Sequence, residues 1–226
     1  MIDALRRASA ARITAVMPVY GYARQDRKDQ PRVPITAKLI ANLLVSARVN
    51  RNLTMDLHAQ QIQGFFDIPV DELFEAPVII ESCSPLHVPA LTIVSPAAGG
   101  ADQARTYAKR LGSALAHVDK RRNEEGTAEV MNVIGDVEGR TCILQDDIID
   151  TAGTIQKAAV GLKQAGAERV FACAVHGVLS GPAIARIEDS PIDQLIVTNT
   201  IPLNGAGQQS RKIMVLSVAR LLGQAI

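Results

Sequence analysis

Tryptophan is absent and aromatic residues make up 3% of the chain, which excludes a surface built from stacking platforms for nucleobases. The formal net charge of +1 is equally unsuited to a broad nucleic-acid footprint, so no nucleic acid is expected among its partners. Cysteine is scarce: Cys83, Cys142 and Cys173 stand far apart and form no Cys-x-x-Cys or Cys/His cluster. That spacing argues against a disulfide framework or a cysteine-histidine zinc site, and a reducing cytoplasm is the expected compartment. No apolar run approaches the ~18 residues that cross a bilayer, and no segment has the build of a signal peptide. No membrane partner is expected.

What the 226 residues do contain is an ordinary globular mixture, 47% hydrophobic and 21% charged, ample for one or two cored domains. Apolar runs at residues 12–18, 52–57, 91–95, 114–119, 141–144, 169–175, 194–198 and 213–217 read as strands. Stretches at 34–46, 101–111, 155–163 and 218–226 read as helices. Strands alternating with helices at this spacing predict an α/β fold with parallel sheets and crossover helices. Pro69, Pro77 and Pro85 punctuate the middle of the chain, and a division into residues 1–72 and 73–210 is expected. The polar, glycine-containing residues 123–129 are expected to form a loop or hairpin tip. Ile2 and Leu5 share helical spacing with no N-cap before them. They read either as a short frayed helix or as the last turns of a helix begun earlier.

The most informative stretch follows the apolar run 141–144. Asp146, Asp147 and Asp150 are followed by Thr151, Ala152, Gly153 and Thr154, which lead into a helical pattern. A strand that enters a small-residue turn at a helix N-terminus offers several backbone N–H groups to one anion. Carboxylates beside it accept hydrogen bonds from sugar hydroxyls. Three acids exceed what capping one helix needs, so the pattern points to a sugar phosphate, its phosphate on the turn and its hydroxyls on the acids.

Other constellations leave alternatives open. Asp56 and His58 follow a strand two residues apart, and read equally as a pair that binds a divalent cation or as a solvated histidine beside a loop. The charged cluster from Arg24 to Arg32 follows Tyr20 and Tyr22. It reads as a solvated loop or as cations for a polyphosphate with aromatics flanking a base. Lys120, Arg121 and Arg122 are either a basic turn or cations on a flexible element that close over phosphate charge. The turn at residues 95–100 is either a second anion cradle or a plain tight turn. His176 and Ser180 are ambiguous, although Ser180 is within possible reach of a phosphate.

The segment Val16 to Asp26, with Tyr20, Gly21, Tyr22, Ala23, Arg24 and Gln25 at its centre, the segment 56–67, residues 119–122 and the loop 146–154 together resemble the ribose-phosphate pyrophosphokinase (PRPP synthetase) family in residues, order and spacing. The resemblance covers essentially the whole chain. It implies two phosphoribosyltransferase-like domains with mainly parallel sheets flanked by helices. The first would be incomplete, lacking an N-terminal segment, with residues 211–226 packing back on it. It also implies Mg²⁺-dependent transfer of the diphosphoryl group of ATP to the C1 hydroxyl of ribose 5-phosphate, giving PRPP and AMP. Asp146, Asp147, Asp150, Thr151, Ala152, Gly153 and Thr154 would hold ribose 5-phosphate, and Arg24 and Gln25 would contact ATP. Asp56, His58, Asp67 and Asp71 would serve the metal–nucleotide site, and Lys120 and Arg122 would stabilise the transferred group. A homo-oligomer, or association with other PRPP synthetase subunits, is implied as well. Ala97 stands where family members carry an aspartate, and Gln145 where an apolar residue usually precedes the acids. These departures keep open the alternative of a catalytically impaired or non-catalytic regulatory subunit of the same family.

Overall fold

The computed structural model describes residues 1–83, 90–122 and 129–226. They divide into two compact units, Met1–Glu75 with Ala219–Ile226, and Ala76–Val218. The boundary expected after residue 72 thus falls after Glu75. Residues 211–218, expected with the first part, group with the second.

The first unit contains α1 (Ile2–Arg7), β1 (Thr14–Met17), α2 (Thr36–Ser46), β2 (Arg51–Met55), a 3₁₀ helix at Gln60–Phe65 and β3 (Val70–Leu73). Its three strands form a parallel sheet in the order β1-β2-β3. The middle strand is buried from Asn52 to Met55. Helix α2 presents small residues, Ala37 and Ala41, to a cluster of Tyr20, Leu57, Ile62 and Phe66. Tyr20, which one of the two readings of the charged cluster set beside a nucleobase, is a core residue. Its ring lies 5.5 Å from that of Phe66, its hydroxyl donates to the Ala37 carbonyl at 2.7 Å, and burial lifts its pKa to about 12.

The second unit runs through α3 (Ala76–Cys83), β4 (Leu91–Ser95), α4 (Ala101–Leu111), β5 (Ala114–Arg122), β6 (Glu129–Ile134) and β7 (Thr141–Ile149). It continues with α5 (Gly153–Gln164), β8 (Arg169–Gly177), α6 (Ala183–Glu188), β9 (Gln194–Thr198), α7 (Gly205–Gln209) and β10 (Ile213–Leu216). The sheet order is β10-β9-β8-β7-β4-β5-β6. Every neighbouring pair is parallel except β5 and β6. Period-two alternation sorts the core into two layers. Cys142, Leu144, Val170, Ala172, Leu195 and Val197 pack with Ala158, Ala159 and Leu162 of α5. The intervening Ile143, Phe171, Cys173 and Ile196 pack with Ile79 of α3 and with Ala104 and Tyr107 of α4.

Two strands exceed the lengths their apolar runs suggest. β7 continues to Ile149 because β8 supplies parallel partners up to Ile149 opposite Gly177. β5 continues to Arg122 because β6 pairs with it as a hairpin, Lys120 opposite Met131 and Arg122 opposite Glu129. The cations expected on a flexible turn thus stand on a paired strand. The hairpin tip proposed over residues 123–129 lies almost wholly outside the described residues. The C-terminal helix α8 (Ala219–Ala225) belongs to the first unit, where Arg51 donates to the Ala225 carbonyl at 3.0 Å. Among the described residues no helix is long and apolar enough to cross a membrane.

Candidate functional site

The extension of β7 alters how the acids are displayed. Asp146 and Asp147 stand on the strand itself, on opposite faces, and Asp150 comes directly after its last residue. All three are half-buried, and the Asp146 carboxylate accepts from the Asp147 amide at 3.0 Å. Asp150 accepts a hydrogen bond from the Ser180 hydroxyl. Ser180, read as a possible phosphate contact, is here a partner of an acid. Ala152 turns the chain into α5 with φ of +60°, and no side chain caps this helix. The first turn of a helix carries amide N–H groups without intrahelical partners and the positive end of the helix dipole. Thr151 and Thr154 are exposed beside them. Half-buried carboxylates and an uncapped helix N-terminus therefore meet within residues 146–154.

Around this centre the remaining candidates of the second unit vary. Lys120 and Arg122 are fixed in register on β5; their side chains lie outside the described residues. The turn after β4 is closed by the Ser95 hydroxyl donating to the Ala97 carbonyl at 2.6 Å, with Ala97 itself exposed. Gln145 is fully buried and donates to Gln103 Oε1 of α4 at 3.3 Å. Its own carbonyl oxygen has no hydrogen-bond partner among the described residues. His176 is buried at the end of β8, with Nδ1 3.0 Å from the Thr200 hydroxyl.

In the first unit Arg24 and Gln25 are exposed on a turn. The Gln25 amide donates to Tyr22 O at 2.9 Å, and its carbonyl accepts from the Ala37 amide at 3.2 Å. The four carboxylate and histidine candidates do not share one environment. One of the two readings of Asp56 and His58 made them a cation-binding pair on one side of the strand end, but β2 ends at Met55 and Asp56 takes φ of +40°. That breaks the alternation: Asp56 is 4% exposed, whereas His58 is open to solvent. The Asp56 carboxylate accepts from the Glu75 amide at 2.9 Å. Burial, together with the hydrogen-bonded, like-charged Glu75 carboxyl, raises its pKa far above the ordinary carboxylate range. Asp71 forms an ion pair with Arg51, and Asp67 is exposed. Among the described residues no three or more His, Cys, Asp or Glu side chains are grouped to hold a metal ion.

Sequence reasoning missed Glu72 and Glu75. Glu72 accepts from the Leu57 amide at 3.0 Å and from the Gln63 side chain, and burial raises its pKa. The available signal was the acids interleaved with apolar residues over 70–75, a strand pattern that buries some of them. Arg186 was missed too. It donates to the Thr151 carbonyl at 2.9 Å across 35 residues, a separation no local pattern reveals.

Comparison with known proteins places these features in context. Residues 1–47 match the family described as the N-terminal domain of ribose phosphate pyrophosphokinase, and residues 127–226 match the phosphoribosyl synthetase-associated domain. The ribose-phosphate pyrophosphokinase of Neisseria meningitidis serogroup A is 54% identical over 100% of this chain and 69% of its own length. That of Bordetella parapertussis is 56% identical over 100% of this chain and 73% of its own. Among solved structures, the phosphoribosylpyrophosphate synthetase of Mycobacterium smegmatis superposes with a TM-score of 0.93 at 43% identity, covering 100% of this chain and 74% of that one.

Proposed function

The chain belongs to the ribose-phosphate pyrophosphokinase family, and from that premise we propose that it transfers the diphosphoryl group of ATP to ribose 5-phosphate. The C1 hydroxyl oxygen attacks the β-phosphorus, the bond from that phosphorus to the α–β bridging oxygen breaks, and AMP leaves with the bridging oxygen. The hydroxyl proton is released and PRPP is formed. The observation that carries this reading is the acid end of β7 running directly into the uncapped N-terminus of α5.

In this scheme Asp146, Asp147 and Asp150 receive the ribose hydroxyls, while the amides and hydroxyls over residues 151–154 receive the 5-phosphate. Lys120 and Arg122 neutralise charge on the transferred group as it spreads over the phosphoryl oxygens. Arg24 and Gln25, exposed on their turn, contact ATP. Little covalent chemistry is asked of the protein, so alignment and charge supply most of the rate. Magnesium enters with ATP as part of the substrate. A resident centre on Asp56, His58, Asp67 and Asp71 does not fit the residues present, since Asp56 is engaged with Glu75 and Asp71 with Arg51. The working compartment is the reducing cytoplasm, where the buried Cys142 and Cys173 remain free thiols.

Incubation with ATP, ribose 5-phosphate and Mg²⁺ tests the proposal. AMP and PRPP in equal amounts are expected. Protein that binds ribose 5-phosphate yet releases no AMP would overturn the transfer reaction, and protein that binds no ribose 5-phosphate would overturn the site.

A further inference from the structure

We infer that the segment joining β8 to α6, together with Arg186 of α6, is a clasp that shapes the ribose-phosphate loop, with Ser180 and Arg186 as positioning residues. The inference deepens the reading of residues 146–154 as the ribose 5-phosphate site and rests on it. The loop needs outside support. Ala152 sits at φ of +60°, a left-handed conformation that is unfavourable for a residue with a Cβ, and no side chain caps the adjoining helix α5.

The support comes from one direction. The Val178 and Leu179 amides donate to the Ile149 carbonyl at 2.9 and 3.1 Å, and the Ser180 amide donates to the Asp150 carbonyl at 3.0 Å. The Arg186 guanidinium holds the next carbonyl, that of Thr151, at 2.9 Å. The peptide bonds of the described residues are trans, and in a trans peptide the C=O and the following N–H point in opposite directions. Anchoring the carbonyls of Asp150 and Thr151 on the clasp therefore aims the amides of Thr151 and Ala152 away from it. Two successive N–H groups aimed alike are the elements of an anion nest. The clasp in turn is held by the core, since Leu179, at φ of +50°, is 2% exposed in the cluster that α5 and β7 share.

Ser180 adds a side-chain restraint. Its hydroxyl donates to Oδ1 of Asp150, which restrains the rotamer of that carboxylate. Arg186 also lies over Gly153, where an added Cβ would stand 3.3 Å from its Nη1. The loop, the clasp and this guanidinium thus set one another's positions.

The test measures ribose 5-phosphate affinity by calorimetry, with steady-state kinetics, in the intact protein and in Ser180→Ala, Ser180→Thr, Arg186→Gln and Arg186→Lys. Ser180→Ala and Arg186→Gln are each expected to raise Kd and KM for ribose 5-phosphate roughly tenfold, the scale of one charge-assisted hydrogen bond. The KM for ATP and the kcat at saturating ribose 5-phosphate should stay within about twofold, since the loss falls on uniform binding. Ser180→Thr keeps the hydroxyl and Arg186→Lys keeps a charged donor, and both should recover most of the affinity. In an Asp150→Asn background, Ser180→Ala should have little further effect, because Ser180 acts through Asp150. Parent protein that fails to bind ribose 5-phosphate overturns the underlying site assignment. A parent that binds, with Ser180→Ala and Arg186→Gln binding equally well, overturns the clasp alone. If Ser180→Ala fails to fold, the half-exposed Arg186 and its Lys and Gln variants decide the question by the same readouts.

Discussion

Strand β2 leads into Asp56, and strand β7 carries Asp146 and Asp147 and leads into Asp150, but the two sets of carboxylates meet different surroundings. Asp56 turns inward at a positive φ, is 4% exposed, and lies with Glu75 in a buried carboxyl pair. The acids of β7 stay half-buried on a strand whose neighbour extends to the same level. The contrast originates in the chain beyond the C-terminal end of each strand. After β2 the chain folds over its own acid, with the Glu75 amide beyond β3 closing on the carboxylate. After β7 a small-residue turn opens into a helix, and Ser180 approaches Asp150 while Asp146 and Asp147 remain on the strand. A strand leading into an acid is thus a sign of a site only when the turn after it leaves the carboxylate room to meet a ligand.

The proposed function gives the transferred group to Lys120 and Arg122 of the second unit, and the largest expected effect tests that. Lys120→Ala should lower kcat by about 10²–10³, the usual loss on removing one donor to developing charge. Calorimetric affinity for ribose 5-phosphate should be unchanged. A kcat close to that of the parent would remove Lys120 from the catalytic assignment.

The next effect belongs to the first unit and appears as stability. Asp56→Ala strands the Glu75 amide and carboxyl in a dry environment and should reduce unfolding free energy by about 2–4 kcal/mol. Urea titration followed by circular dichroism measures this. A loss under about 0.5 kcal/mol, the scale of an ordinary surface change, would mean that the pair contributes little. Asp150→Asn should act in the opposite way. It should weaken ribose 5-phosphate binding by about 1–3 kcal/mol through loss of a charge-assisted hydrogen bond, with the urea midpoint nearly unmoved. Unchanged affinity would count against the role given to Asp150.

These predictions trace the line between what was legible in the chain and what was not. The α/β alternation and the layering of the larger sheet were legible because apolar runs in a parallel sheet buried on both faces are nearly continuous. The strand, turn and helix that carry the proposed ribose-phosphate loop were legible because its parts are local, three acids and a small-residue turn within residues 146–154. The fate of Asp56 was not, since it depends on Glu75, 19 residues away, and on a backbone torsion that spacing does not encode. The place of Lys120 and Arg122 was misread for a similar reason: their apolar signal ends before them, and only the pairing with β6 keeps them in the strand. Arg186 meets Thr151 through tertiary structure alone.

The smallest expected effect is the most discriminating. If Asp56 keeps a proton shared with Glu75, then Asp56→Asn is nearly isosteric with the native state. The amide oxygen accepts the Glu75 N–H, and the amide nitrogen donates to the Glu75 carboxylate. At neutral pH the substitution should therefore change stability by less than about 1 kcal/mol, far less than Asp56→Ala. It should also leave the Mg²⁺ dependence of activity unchanged, whereas loss of a true metal ligand would raise the Mg²⁺ requirement. The pH profile separates the variants further. Unfolded, Asp56 releases its proton within the ordinary carboxylate range; folded, it holds the proton well above that range. The native state thus binds more protons than the unfolded chain across this interval, and stability must fall as pH rises through it. Glu72, also raised by burial, adds a slope of the same sign. Asp56→Asn removes the Asp56 share, so its stability should decline less steeply with rising pH than that of the parent. Parallel profiles for the two proteins would show that Asp56 is ionised when folded, and would reopen it as a ligand.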